Sequence, residues 1–380
     1  MKKLLLIPLL FVFTAVAIGQ DIETVRQKTI EKAIAFLRSA QSPDGAFSPQ
    51  AGIGPTTVVL CGLLDAGVKP DDPMVVKGFE FLRKAVRDDG GVYTQDGFFQ
   101  NYETCLAVMC FAAANDAVKK ANDSKTGPYD ELLAKAQKYL IKEQFTEEQG
   151  VAKDNLYYGG SGYGRTRRPD LSNTHYFVEA LRAAGRPADD PAIQKALVFI
   201  SRCQKLESEH NTLPFAAKDS DGGFVYTPVV EEAGGQERRG RGGSEATGAA
   251  LRSYGSMTYA GLKSMIYAGL TPEDKRVKAA FEWIKKNYDL TQNPGQGQNG
   301  LYYYYQTFAK ALDTLEVAEL EVASGAKHDW RAELVAVLAE KQNKDGSWVN
   351  DNPRWMENDP ILVTGFALMV LADCKAFAGN

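Results

Sequence analysis

FLRSAQSPDGAF (36–47) and VLAEKQNKDGSW (337–348) are two copies of one pattern. An aromatic or apolar residue and Leu lead into Gln, with Gly four residues after the Gln and an aromatic ring six after it. Four looser copies lie between them: Phe81-Leu82 with Val86, Tyr139-Leu140 with Gln144, Phe199-Ile200 with Gln204, and Trp283-Ile284 with Tyr288. An internal repeat of this period is the signature of an array of identical supersecondary units. Each copy is followed by a loop and a more apolar stretch with a Thr near its start: Thr57, Thr104, Thr174, Thr258, Thr307 and Thr364. Six helical hairpins are implied.

The first helix of each hairpin has the spacing of an amphipathic surface helix, as in Ile30, Ile34 and Leu37 with charges between them. The second is apolar nearly all round, as in TTVVLCGLLDAG (56–67), TCLAVMCFAAA (104–114) and ILVTGFALMVLADC (361–374), and has to be covered on every side. The first set therefore forms an outer ring and the second an inner ring. Asp-Gly turns, as in QSPDGAF (41–47), RDDGGVY (87–93), SDGGFVY (220–226) and QNKDGSW (342–348), supply the positive-φ stop for each outer helix. The Gln amide is placed to bridge backbone groups of the next helix end, and the ring to pack over the joint.

Repeats of the form Q-x-x-x-G-x-F/W on alternating helical hairpins resemble the QW-type repeats of the terpenoid cyclases, such as squalene-hopene cyclase; protein prenyltransferase β-subunits share the double ring. The resemblance covers nearly the whole chain after its first 20 residues. It implies an all-α (α/α)6 toroid, one domain over residues 21–380, with the inner helices' N-terminal ends opening on a central cavity. Before the third and fourth inner helices the loops, about 145–172 and 205–255, are long, Gly-rich and studded with Arg. Long loops on a rigid scaffold are where function tends to sit.

The chain opens MKKLLLIPLLFVFTAVAIGQ, with two lysines, an apolar run from Leu4 to Ile18 and small residues Ala17 and Gly19. This reads as a cleavable signal peptide, residues 1–20, and the run is shorter than the roughly 20 residues that span a bilayer. Export to a periplasm or beyond is expected, with no stable membrane span after cleavage. A net charge of −4 from 44 basic and 48 acidic residues gives no bias toward nucleic acid. The five cysteines all lie in apolar helical stretches without a CxxC, which points to buried free thiols.

Aromatic residues crowd the starts of the inner helices. Tyr102, Tyr176 beside His175, Tyr259, Tyr304 within the run Tyr302 to Tyr305, and Trp355 are the candidate lining of a cavity for an apolar ligand or a cation. Consecutive tyrosines on a helix point in different directions, so at least one of the four should reach the cavity. Arg165, Arg241 and Arg354 are candidates for holding an anionic group on such a ligand. Among acids at inner-helix starts, Glu103 and Asp359 are the catalytic candidates, although Asp359 before Pro360 has the form of a helix cap. The D-x-D-D motif that supplies the proton in the resembled cyclases is missing, and Asp219-Ser220-Asp221 lies in a turn. The zinc set of the prenyltransferases has no counterpart beyond His175, so neither metal nor cofactor is expected. Gly295 to Gly300 spells GxGxxG without the strand that gives that motif meaning.

Three readings follow: an exported toroid that binds an apolar or isoprenoid-like ligand without catalysis; an active terpenoid cyclase working by acid-initiated carbocation chemistry; and a polysaccharide lyase or hydrolase built on the same toroid.

Overall fold

The computed structural model describes residues 9–164, 168–218, 220–229 and 251–375, with side chains from Ile22 onward. Thirteen α-helices occur among them: six outer, six inner and one short helix in a loop. The outer helices are α1 (Leu9–Ala40), α3 (Pro73–Arg83), α5 (Asp130–Lys142), α7 (Pro191–Cys203), α10 (Lys275–Lys286) and α12 (Trp330–Lys341). Alternating with them are the inner helices α2 (Gly54–Asp65), α4 (Gln100–Asn122), α6 (Leu171–Ala183), α9 (Gly255–Tyr267), α11 (Leu301–Thr314) and α13 (Pro360–Asp373). The short α8 (Pro214–Lys218) lies in the loop before α9, and a two-stranded ribbon, β1 (Leu320–Glu321) with β2 (Lys327–His328), precedes α12. Each inner helix packs on the next, α2 on α4, α4 on α6, α6 on α9, α9 on α11, α11 on α13 and α13 back on α2. With α1 against both α12 and α13, the double ring closes.

Local chemistry explains the regularity. Outer helices begin at Asp caps: Asp72, Asp190, Asp274 and Asp329 accept the backbone N–H of Met74, Ala192, Arg276 and Ala332. In two of them Pro at the first helical position fixes φ for the helix, as Pro73 and Pro191 do. Inner helices are buried over nearly their whole length, α13 without a break from Leu362 to Leu371.

Four of the six repeat positions make the same joint. Gln41, Gln144, Gln204 and Gln342 each donate from Nε2 to the carbonyl of the turn glycine, Gly45, Gly159, Gly222 or Gly346. The same amide donates again to Met74, Ala192, Arg276 or Thr29 on the next outer helix. Gly45 has to be glycine for two reasons: its φ is 92°, and a Cβ there would collide with the carbonyl oxygen of Lys77 on the neighbouring helix. The fifth copy replaces Gln by Tyr288, whose hydroxyl donates to Glu333 Oε2 at 2.6 Å.

The threonines tie inner helices to the same turns. Thr104, Thr174, Thr258 and Thr364 accept the N–H of Val92, Ser161, Phe224 and Trp348 respectively. In the first hairpin the equivalent residue is Thr56, which accepts from Phe47, and not the Thr57 that the sequence singles out. In the fifth hairpin Thr307 bonds only within its own helix, to the Tyr304 carbonyl, and two tyrosine hydroxyls reach the turn instead.

All five cysteines are buried and unbridged. Residues 1–8 of the expected signal peptide lie outside the described residues, and 9–20 are the first part of α1. Among the described residues no helix is long and apolar enough to cross a membrane.

Candidate functional site

At the end of the barrel where the inner helices start, aromatic rings meet around the axis. Tyr102 of α4 lies 5.5 Å from Tyr176 of α6 and 5.8 Å from Tyr163 of the loop before α6, ring centre to ring centre. Tyr176 continues to Tyr303 of α11 at 6.3 Å, and Tyr303 to Phe366 of α13 at 6.3 Å. Phe99 closes on Tyr163 from the rim at 5.4 Å and is itself exposed. Spacings of this size, tilted or edge-on, are those of favourable aromatic pairs. Burial pushes the Tyr102 and Tyr163 phenols upward, so these rings stay neutral.

His175 sits beneath the rings, fully buried, 4.1 Å from the Tyr176 ring. Its Nε2 is 2.7 Å from the Tyr303 hydroxyl, which also meets Ser172 Oγ at 3.1 Å. Desolvation first, and the Lys263 ammonium second, hold the imidazole well below its ordinary pKa and therefore neutral. Deeper along the axis, Lys263 of α9 donates to Glu179 Oε2 of α6 at 2.6 Å, with both side chains out of water. Toward the far end Lys310 of α11 pairs with Asp373 of α13 at 3.0 Å.

The acids at the inner-helix starts have structural work. Glu103 accepts from Thr94 N at 2.7 Å, Thr94 Oγ1 at 2.8 Å and Ile53 N at 3.3 Å, fastening two loops to α4. Asp359 caps α13 by accepting from Ile361 N at 2.9 Å, in the capped form that its sequence context suggests. Glu357 accepts from Tyr303 N at 2.8 Å and from Asn350 Nδ2 at 2.7 Å, so a carboxylate from one hairpin caps α11 of another. Asp170 caps α6 through Asn173 N and Asn173 Nδ2, both at 2.8 Å, and Tyr226 bears on its carboxyl as well. Burial outweighs these donors and pushes the Asp170 carboxyl up to about 6. Asp170, at the start of an inner helix, is thus an acid set among tyrosines, beside the candidates Glu103 and Asp359.

The structure brings Tyr102, His175 and Tyr176 together and separates the other aromatic candidates. Tyr259 and Tyr304 face the layer between the rings: they pack on each other at 5.8 Å and on Phe308, and the Tyr304 hydroxyl donates to the Asp289 carbonyl at 2.8 Å. Of the four consecutive tyrosines it is Tyr303 that joins this cluster of rings, because successive helical residues are about 100° apart. Trp355 lies against Gly300 in the loop before α13, where Trp355 and Met356 both adopt positive φ, 56° and 65°. The Arg354 guanidinium stands 4.9 Å from the Trp355 ring and bears electrostatically on Tyr254, the residue before α9. Arg165, Arg241 and Asp219 lie outside the described residues. Among the described residues no three His, Cys, Asp or Glu side chains are grouped to hold a metal ion.

In its fold the chain is a terpenoid-cyclase-like α-α toroid. A 77-residue segment is 35% identical to squalene-hopene cyclase of Bradyrhizobium diazoefficiens, covering 20% of this chain and 11% of that protein. The type II terpene cyclase MstE from Scytonema superposes over 92% of this chain and 98% of its own with a TM-score of 0.53 at 14% identity. An alpha-amylase from Clostridium perfringens superposes over 91% of this chain and 98% of its own, also with a TM-score of 0.53, at 11% identity. No family model matches the chain. The likeness to both enzymes is one of fold.

Proposed function

We propose that the protein is exported and binds a small apolar, isoprenoid-like ligand in the axial chamber. The observation that carries this reading is the set of neutral rings, Tyr102, Tyr163, Tyr176, Tyr303 and Phe366, contributed by four hairpins of the toroid to one continuous aromatic cluster. Such a wall offers a large apolar surface with a few fixed hydroxyls, the composition of a small-molecule pocket. The commitment of Glu103 and Asp359 to backbone N–H groups supports binding without catalysis. Arg354, near Tyr254 at the start of α9, is the candidate for any anionic end of the ligand.

Native mass spectrometry of the full chain with geranylgeraniol tests the reading: a one-to-one complex is expected, weakened at least tenfold in Tyr176→Ala. Absence of a complex, or one indifferent to Tyr176, would refute it. Export rests on the Lys2-Lys3 start and the apolar run to Ile18. The mature N-terminus is expected near residue 21 in an extracytoplasmic fraction, and an intact cytosolic chain would contradict that.

A second reading, acid-initiated cyclisation, is supported by Asp170, a buried carboxyl raised to about 6 among tyrosines. It predicts a cyclised product from a geranylgeranyl substrate that disappears in Asp170→Asn. A polysaccharide lyase or hydrolase has the fold likeness to the amylase behind it and no arrangement of side chains.

A further inference from the structure

The chamber has a polarity of its own, set by what lies beneath Tyr303. His175 Nδ1 makes no hydrogen bond but points at Glu179 Oε2 across 3.9 Å. A ring-nitrogen lone pair facing a carboxylate is repulsive and an N–H facing it is attractive, so the carboxylate draws the single imidazole proton to Nδ1. Lys263 donates to the same Glu179 oxygen at 2.6 Å, so the carboxylate is matched by a cation in this buried place. With the proton on Nδ1, Nε2 is left as an acceptor, and the 2.7 Å contact requires the Tyr303 hydroxyl to donate into it. Ser172 then supplies a proton to the Tyr303 oxygen at 3.1 Å, and what that oxygen has left to offer the half-buried face of Tyr303 is a lone pair.

We infer that Tyr303 is a specificity-determining acceptor, fixed by the His175–Glu179–Lys263 column, and that the ligand carries a hydroxyl or other hydrogen-bond donor at the end that reaches it. Ligands with only acceptors there, such as an ether, an ester carbonyl or an aldehyde, present lone pairs to a lone pair. His175 is a positioning residue: it touches no ligand and acts by holding the direction of the Tyr303 O–H bond. The inference rests on the isoprenoid-like reading of the chamber and goes further, by naming the functional group that the chamber selects.

Two probes of equal length separate the claims: geranylgeraniol and its methyl ether, titrated against the full-length protein by tryptophan fluorescence or native mass spectrometry. Wild type should bind the alcohol about tenfold more tightly, the scale of one satisfied hydrogen bond in a dry site. Tyr303→Phe should leave the ether affinity within about twofold and bring the ratio to near one. His175→Phe releases the Tyr303 proton to point into the chamber, so the ratio should fall below one, whereas His175→Gln, whose carbonyl can accept that proton, should restore the preference for the alcohol. A role of His175 in packing alone would weaken both probes together and leave the ratio unchanged. Equal affinities in wild type, or a ratio indifferent to Tyr303 and His175, overturn the inference while leaving an isoprenoid-binding chamber in place. Failure of both probes to bind overturns that reading as well.

Discussion

Lys263 and Glu179 should be far less tolerant of separate replacement than of joint replacement. Their 2.6 Å contact lies in the middle of the barrel with both side chains buried. At an effective dielectric of 20 the gross attraction over that distance is about 6 kcal/mol. Desolvation of each ion costs several kcal/mol, so the pair itself contributes little net stability. Breaking it is another matter. Lys263→Met leaves Glu179 buried beside neutral His175, and Glu179→Leu leaves an uncompensated ammonium; each should cost about 3–5 kcal/mol. That is a large share of the roughly 5–15 kcal/mol that holds an ordinary domain together. The double variant Glu179→Leu with Lys263→Met should recover most of the loss.

Urea unfolding at pH 7, with the slope required to stay constant, measures all four corners of this cycle. Loss of the Lys263 charge also removes one of the two causes that hold His175 below its ordinary pKa, and it leaves Glu179 facing the ring. In Lys263→Met the imidazole should therefore titrate at higher pH than in wild type, which proton NMR of its ring can follow. Single variants within about 1 kcal/mol of wild type, or a double variant as unstable as the two losses added, would show that the column is not a closed electrostatic unit.

Three further outcomes can be stated from the geometry. Gln144→Ala removes two buried hydrogen bonds, to Gly159 and Ala192, at 2.8 and 2.9 Å, and should lower stability by about 1–3 kcal/mol in the same assay; no change would mean that the repeat glutamine is not a joint. Gly300→Ala puts a Cβ 2.5 Å from the Trp355 ring at a residue with φ of 60°, so Trp355 should swing toward solvent and the fluorescence shift to the red, at a cost of about 1–2 kcal/mol. Asp170 is raised to about 6 from an ordinary value of 3.8, so its folded form holds its proton more tightly than the unfolded chain does. Its contribution to stability is complete below pH 4 and is lost as pH rises toward 6, on the order of 3 kcal/mol, and the difference between wild type and Asp170→Asn across that window isolates it. A difference that grows in the opposite direction would place the carboxyl in a solvated or cation-paired setting.

The rings were legible in the sequence because the repeated residues are the contact points between hairpins. Gln41 and Gln342 stand 301 positions apart and make the same pair of bonds, so their spacing from Gly45 and Gly346 is dictated by one joint geometry. The Asp caps of the outer helices were equally visible, in Asp72-Pro73 and Asp190-Pro191, and add a second repeat in phase with the first. Helical phase is what the repeat could not supply. Thr56 and Thr57 are both in the first turns of α2, and a rotation of about 100° decides which one meets Phe47. The same rotation turns Tyr304 toward Phe308 and Tyr303 toward His175. A sequence signal for it did exist. Glu179, Gln306 and Lys310 are polar residues within apolar helices, and His175 lies four residues before Glu179 as Tyr303 lies three before Gln306 and seven before Lys310. Polar side chains at helical spacing marked the faces of α6 and α11 that look at the axis.

The choice between a binder and a catalyst turns on what the inner-helix starts do with their acids. Six helices that begin around one axis present unpaired N–H groups there, and nearby carboxylates are drawn to them. Glu103 and Glu357 are held by backbone donors of other hairpins and Asp359 by its own helix, which places their charge where the scaffold needs it. Asp170 obeys the same rule through Asn173, with Tyr226 of the neighbouring loop bearing on its carboxyl as well. The donors of the cap favour the ionised carboxyl and burial favours the protonated one, so a proton given up there would leave the cap of α6 in place. Asp170→Asn keeps an acceptor for the Asn173 N–H and removes the proton. If geranylgeraniol still binds to that variant with wild-type affinity and no cyclised product ever formed in wild type, the carboxylate is a cap, and the chamber is a binding site whose chemistry is carried by neutral oxygen and nitrogen atoms.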